Sequence, residues 1–111
     1  MLPRSKRVSI HRFLEVIKKG EIIHSSFFTM RFVKTLSKSR FAVSVPKKVA
    51  KTAVERNKIR RRVYTVLNGL IPQLEHGNDV VLIMKSGSEK LSILDLERKM
   101  YETFVKSGLL K

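Results

Sequence analysis

The stretch V-P-K-K-V-A-K-T-A-V-E-R-N-K-I-R-R (Val45–Arg61) holds the end of a strand, a short basic link and the start of a helix. Pro46 closes the strand because proline has no N–H to give to a ladder. Thr52 and Glu55 have the spacing of a capping box, which predicts a helix starting near Ala53. Ile59, Val63, Val66 and Leu70 then recur at i, i+4, i+7 and i+11, a narrow core stripe, until Pro72 and Glu75–Gly77–Asn78 break it. At about 100° per residue, Asn57, Arg60, Arg61 and Tyr64 fall within an arc of about 60° beside that stripe. Arg56 lies near the border of the arc, and Lys58 and Arg62 flank the stripe on its other side.

Upstream, Phe41, Val43 and Val45 alternate with Ala42 and Ser44, the period of a half-buried strand. Thr35–Ser39 reads as a polar turn, and Ser25–Val33 is extended in character. Nearer the start, Ser9 is placed to cap a helix carrying Ile10, Phe13, Leu14 and Ile17 at helical spacing, with Gly20 at its C-terminal end. Downstream, Val80–Met84 is a continuous apolar run, as in a strand covered on both faces. Lys85–Lys90 is a loop. Ser92 and Asp95 then open a helix bearing Ile93, Leu96, Met100 and Phe104, which Gly108 closes. The order is α-β-β-α-β-α, with room for one more strand near the first turn. It predicts a single α+β domain over residues 1–111: a small sheet packed with helices. The strands at Arg40–Val45 and Val80–Met84, joined through a helix, are candidates for parallel neighbours.

Charge separates the chain into two halves. Residues 1–62 hold 18 basic and 3 acidic side chains, whereas residues 63–111 hold 6 of each, so the whole net charge of +15 sits in the first half. A one-sided field of this size costs self-repulsion and implies a polyanionic partner. Nucleic acid is favoured over an anionic membrane, because aromatic and strand-like segments are mixed with the charge and no long basic amphipathic anchor dominates. No run approaches the roughly 20 apolar residues of a bilayer span. Arg4, Lys6 and Arg7 precede Ile10–Ile17, which is amphipathic and lacks a cleavage site, so no signal peptide is expected. With no cysteine there is neither a disulfide nor a thiolate metal site, and the cytoplasm is the expected location.

The basic helix suits phosphate chemistry. Residues 47–62 carry eight basic side chains and one acidic one, Glu55, more imbalance than a solvated surface helix asks for. Arginine forks pair bidentately with phosphate and stack on bases, and the Asn57 amide can donate and accept at once. Lys47, Lys48 and Lys51 precede a helix N-terminus that itself attracts phosphate. Hydrolytic machinery is missing from the pattern. Glu15, Glu21 and Glu55 are too separated for a two-metal site, Asp95 and Glu97 read as helix-start charges, and His11, His24 and His76 read as surface residues without ligand spacing.

The Val45–Arg61 segment resembles the signature of the bacterial ribonuclease P protein component. That family has a strand ending in a small residue and Lys-Lys, a short connection, and a helix bearing R-N-R-x-K/R-R. Here the motif reads Arg56-Asn57-Lys58-Ile59-Arg60-Arg61, with Lys58 in place of the central arginine, which keeps the charge and loses the fork. F-L-E-V-I-K-K-G (Phe13–Gly20) resembles the family's F-x-x-V-F-K-x-G. Phe28 follows that glycine by eight residues, Asp79–Met84 resembles the strand of Asp and four apolar residues, and Leu91–Leu110 the terminal helix.

The resemblance implies a ribosomal-protein-S5 domain-2-like fold with a left-handed β-α-β crossover, against the general rule. It implies an accessory subunit of a ribonucleoprotein endoribonuclease that removes the 5′ leader of precursor tRNA. By the same resemblance the catalytic RNA would hold the Mg2+ and perform the hydrolysis, and the protein itself is expected to bind no cofactor and no small-molecule substrate. Arg56, Asn57, Lys58, Arg60, Arg61 and Arg62 would face that RNA. Phe13, Ile17, Phe28 and Arg31, with Lys47 and Lys48 at the rim, would line a cleft for the single-stranded leader. Ile17 stands where an aromatic is frequent and Arg31 where tyrosine often occurs, so this cleft would stack less and rely more on charge. Plain core packing is an equal alternative for Phe13 and Phe28. The competing functions are a ribosomal protein or assembly factor, a helix-turn-helix DNA regulator, for which no preceding helix is found, and a stand-alone nuclease.

Overall fold

In the computed structural model, residues 7–36, 38–74 and 77–110 are described. Arg4, Lys6, Glu75 and His76 lie outside them. The elements are α1 (Ile10–Lys19), β1 (Glu21–His24), β2 (Phe28–Lys34), β3 (Arg40–Ser44), α2 (Ala53–Leu70), β4 (Asn78–Met84) and α3 (Ile93–Ser107), with 3-10 turns at Ile71–Gln73 and Ser88–Lys90. The additional strand near the first turn is β1. The four strands form one sheet in the order β1-β2-β4-β3, with β4 antiparallel to β2 and parallel to β3. The parallel pair expected around the basic helix is therefore present, and the chain is an α+β domain.

Strand parity divides the sheet into two unlike faces. In register, Phe28 pairs with Met84, Met30 with Leu82 and Phe32 with Val80, while Phe41 and Val43 lie opposite Val80 and Leu82 on the other side of β4. These side chains form one buried cluster with Ile59, Val63, Val66, Leu67 and Leu70 of α2 and Leu96, Met100 and Phe104 of α3. The alternate residues Arg31, Val81 and Ala42 share a row on the opposite face, where α1 lies over β2 and β4. The strand β4 is buried on both sides, as its unbroken apolar run required.

Helix α2 buries more than the expected stripe, because Leu67 and Tyr64 join it. Helix α1 buries less. Val16 is its fully buried residue, while Ile10 and Leu14 are 76% and 56% exposed. The helical spacing of that stripe was correct, but its Ile10 and Leu14 edge stays in solvent while Phe13 and Ile17 are half-buried. Gly20 follows α1 in extended backbone, and a Cβ there would lie 2.5 Å from the Val16 carbonyl and 3.1 Å from that of Phe32. The Val16 carbonyl at the end of α1 leaves no room for a Cβ here, and the Phe32 backbone of β2 crowds the position further. Gly108 instead takes the left-handed conformation (φ 84°) that ends α3.

Burying a leucine side chain contributes about 1.5–3 kcal/mol, and a cavity left behind adds to the loss. Leu67→Ala, at a site with 0% exposure, is expected to lower stability by about 2–5 kcal/mol in denaturant unfolding. Leu14→Ala, on the exposed flank of α1, is expected to stay within about 0.5 kcal/mol of the parent. Equal losses at the two sites would contradict this placement.

Candidate nucleic-acid interface

The N-terminus of α2 is fixed first by its cap. The Thr52 hydroxyl accepts from the Glu55 amide at 3.2 Å and donates to the Glu55 carboxylate at 2.9 Å. With one side of the helix committed to the core, the residues between buried positions must face outward. Asn57, Lys58 and Arg61 are exposed, and Arg60 is half-buried. Arg60 Nη1 donates to Asn57 Oδ1 at 2.6 Å, which holds the two side chains together. Asn57, Arg60, Arg61 and Tyr64 line a shallow pocket of about 220 Å³. These are the four residues of the polar arc read from the sequence. Tyr64 departs from that reading in being buried, so it belongs to the core as well as to the pocket.

Two arginines of the basic helix have a different task. Arg56 Nη1 donates to the carbonyls of Ala50 and Lys51, both at 3.0 Å, and so ties the link after β3 to the helix. Arg62 donates to the Leu91 carbonyl and, at 3.5 Å, to that of Glu89, which ties α2 to the turn before α3. Guanidinium groups have further donors, yet these two are oriented by the protein's own backbone. Lys47 and Lys48 stand exposed on the link just beyond β3.

The residues expected in the leader cleft are not all together. Phe13 and Ile17 are half-buried on α1, and Arg31 is half-buried on the sheet face that α1 covers, donating to the Ile17 carbonyl. Phe28 is a correction: it is 0% exposed in the cluster with α2 and α3. It differs in parity from Arg31, so it lies on the opposite face of β2 and packs as core. Half-buried Thr29, Ala42, Ser44 and Ile83 share the face of Arg31.

Sequence reading missed an ion cluster on this face. Asp79, with 0% exposure, accepts from Arg12 Nε at 2.6 Å and, at 3.4 Å, from Arg40 Nε. Arg12 also pairs with Glu15 at 2.7 Å. Asp79 first, and then Glu15, raise the Arg12 pKa above the ordinary guanidinium value. A signal was available, since a carboxylate opening a strand buried on both faces must find cationic partners.

The molecule is thus a small basic α+β domain that carries an arginine–asparagine flank on one helix. The family model for Ribonuclease P matches residues 2–108. The ribonuclease P protein component of Microcystis aeruginosa is 28% identical over 98% of this chain and 96% of its own length. That of Desulfosudis oleivorans is 33% identical over 88% and 81%. Among solved structures, the Staphylococcus aureus RNase P protein superposes with TM-score 0.85 at 19% identity, covering 96% of this chain and 98% of that one. The Thermotoga maritima protein gives 0.78 at 24% identity, covering 86% and 92%; these two likenesses concern the fold. The chain belongs to the ribonuclease P protein component family, protein subunits of a nuclease-associated ribonucleoprotein in tRNA processing.

The two kinds of arginine should separate in unfolding experiments. Arg56→Ala, which frees two carbonyls of the link, is expected to cost about 1–2 kcal/mol. Arg61→Ala is expected to change stability by no more than about 0.5 kcal/mol. A large loss at Arg61 with none at Arg56 would reverse the assignment.

Proposed function

We propose that the α2 flank docks on the catalytic RNA of ribonuclease P and that the face of the sheet beside α1 receives the 5′ leader of precursor tRNA. The observation that carries this reading is the lack of internal charge compensation. Among the described residues, no carboxylate forms an ion pair with any lysine or arginine of α2. Lys58, Arg60 and Arg61 are thus available to phosphates, and the Asn57 amide, steered by Arg60, adds a group suited to sugar hydroxyls or base edges. Arg56 and Arg62 position the flank from within. Lys58 supplies charge where a second fork would otherwise stand.

In this reading the protein contributes electrostatics and substrate positioning, and hydrolysis of the phosphodiester belongs to the RNA. No three His, Asp or Glu side chains gather among the described residues, and Asp79 is already engaged by two arginines. Those donors do not suit a resident magnesium ion, which we assign to the RNA subunit. No helix among the described residues is long and apolar enough to cross a membrane. We assign the complex to the cytoplasm, where a tRNA-processing RNA would work. The leader would meet Phe13, Ile17 and Arg31 on α1 and β2, with Lys47 and Lys48 near its path. Phe13 is then the aromatic of this set, so grip depends on charge and aliphatic contact more than on successive stacking.

The test is reconstitution. Added to transcribed ribonuclease P RNA from the same organism, the protein is expected to stimulate precursor-tRNA cleavage at low magnesium. Charge reversal at Arg60 and Arg61 together should abolish the stimulation while the circular dichroism spectrum is retained. If about six phosphates are neutralised, the log–log salt dependence of binding should approach a slope of about −4 to −5. Absence of stimulation, or a slope near about −1, would overturn the reading.

A further inference from the structure

The attachment of α1 to the sheet rests on few apolar contacts. Val16 is its fully buried side chain, and its remaining apolar residues are half-buried or exposed. Polar links hold it at both ends. Near the N-terminal end, Arg12 bridges α1 to the Asp79 carboxylate of β4 and to the Lys34 carbonyl of β2 at 3.4 Å, while Arg40 of β3 binds the other oxygen of the same carboxylate. Near the C-terminal end, Arg31 of β2 donates to the Ile17 carbonyl, and Gly20 brings the chain against the Phe32 backbone. One buried carboxylate thereby joins α1, β3 and β4.

We propose that Asp79 is a positioning residue for the leader: through Arg12 and Arg40 it sets the height of α1 over the sheet, and so the width of the cleft. This rests on the cleft reading given above. Asp79 is fully buried and both its oxygens are engaged by arginines, so it does not itself touch RNA. Its effect must pass through the placement of Phe13 and Ile17. Misplacing positioned groups by about 1 Å can cost about a hundredfold in a reaction rate, and a binding cleft built from positioned groups is open to the same kind of loss. The polar attachment also explains why α1 tolerates an exposed apolar flank of Ile10 and Leu14, since the helix is seated by charge as much as by burial.

The experiment uses the reconstituted holoenzyme and two precursor tRNAs, one with a long single-stranded leader and one with a single leader nucleotide. The parent protein is expected to bind the long-leader substrate more tightly. Asp79→Asn should weaken binding of the long-leader substrate about tenfold and leave the short-leader substrate within about twofold. The salt slope should be unchanged, because no phosphate contact is lost. Equal weakening of both substrates would show a merely structural role and overturn the proposal, as would parental behaviour of the variant. If Asp79→Asn does not fold, Arg12→Gln breaks the same bridge from the other side. It must reproduce the leader-selective loss without lowering the salt slope, and a lowered slope would mark Arg12 as a direct phosphate contact and overturn the clamp. A parent protein indifferent to leader length would overturn the cleft reading itself, and this inference with it.

Discussion

The packing of α2 against one face of a four-stranded sheet is the constraint on which the rest of the molecule depends. Ile59, Val63, Val66, Leu67 and Leu70 must meet Phe28, Met30, Phe32 and their neighbours on β3 and β4. Once that stripe is buried, helical geometry leaves Asn57, Lys58 and Arg61 in solvent, because no rotation of α2 hides them without exposing the core. The density of positive charge there is tolerable because the side chains diverge into water, and it becomes useful when a polyanion supplies the missing counter-charge. The basic flank is therefore a consequence of core packing as much as of composition.

The same parity assigns the second face its character. Residues alternate along β2, β3 and β4, so the apolar set that serves α2 and α3 leaves Thr29, Arg31, Ala42, Ser44 and Ile83 for the other side. Helix α1 covers part of that side and is seated there by Val16, Asp79 and three arginines. A sheet with one dry face and one partly open face gives a small protein two distinct surfaces. In the proposed function the helix over the dry face meets the catalytic RNA and the open face meets its substrate.

Much of this was legible in the residues. The capping box at Thr52 and Glu55, the apolar run before Lys85 and the alternation from Phe41 to Val45 are local signals, and each produced the expected element. The polar arc of Asn57, Arg60, Arg61 and Tyr64 is also a local property, fixed by helical angle alone, and the same four residues line one pocket. What failed depended on contacts far apart in the chain. Phe28 could be read equally as a cleft aromatic or as core, because neighbouring spacing does not say which sheet face a strand residue takes. The fully buried residue of α1 is Val16, which is not one of the more conspicuous set Ile10, Phe13, Leu14 and Ile17. Arg12, Arg40 and Asp79 are separated by up to 67 residues, so their meeting needed the completed sheet. Arg56 and Arg62 looked like equals of Arg61 because charge is visible in a sequence and a backbone carbonyl partner is not.

The most direct measurement is chemical footprinting of lysine and arginine side chains, read by mass spectrometry, for the protein alone and bound to ribonuclease P RNA of the same organism. The account predicts that Lys58 and Arg61, exposed in the free protein, become protected by the RNA, while Lys99 and Lys106 on α3 keep their reactivity. Protection concentrated on α3, with Lys58 and Arg61 still freely labelled, would contradict it.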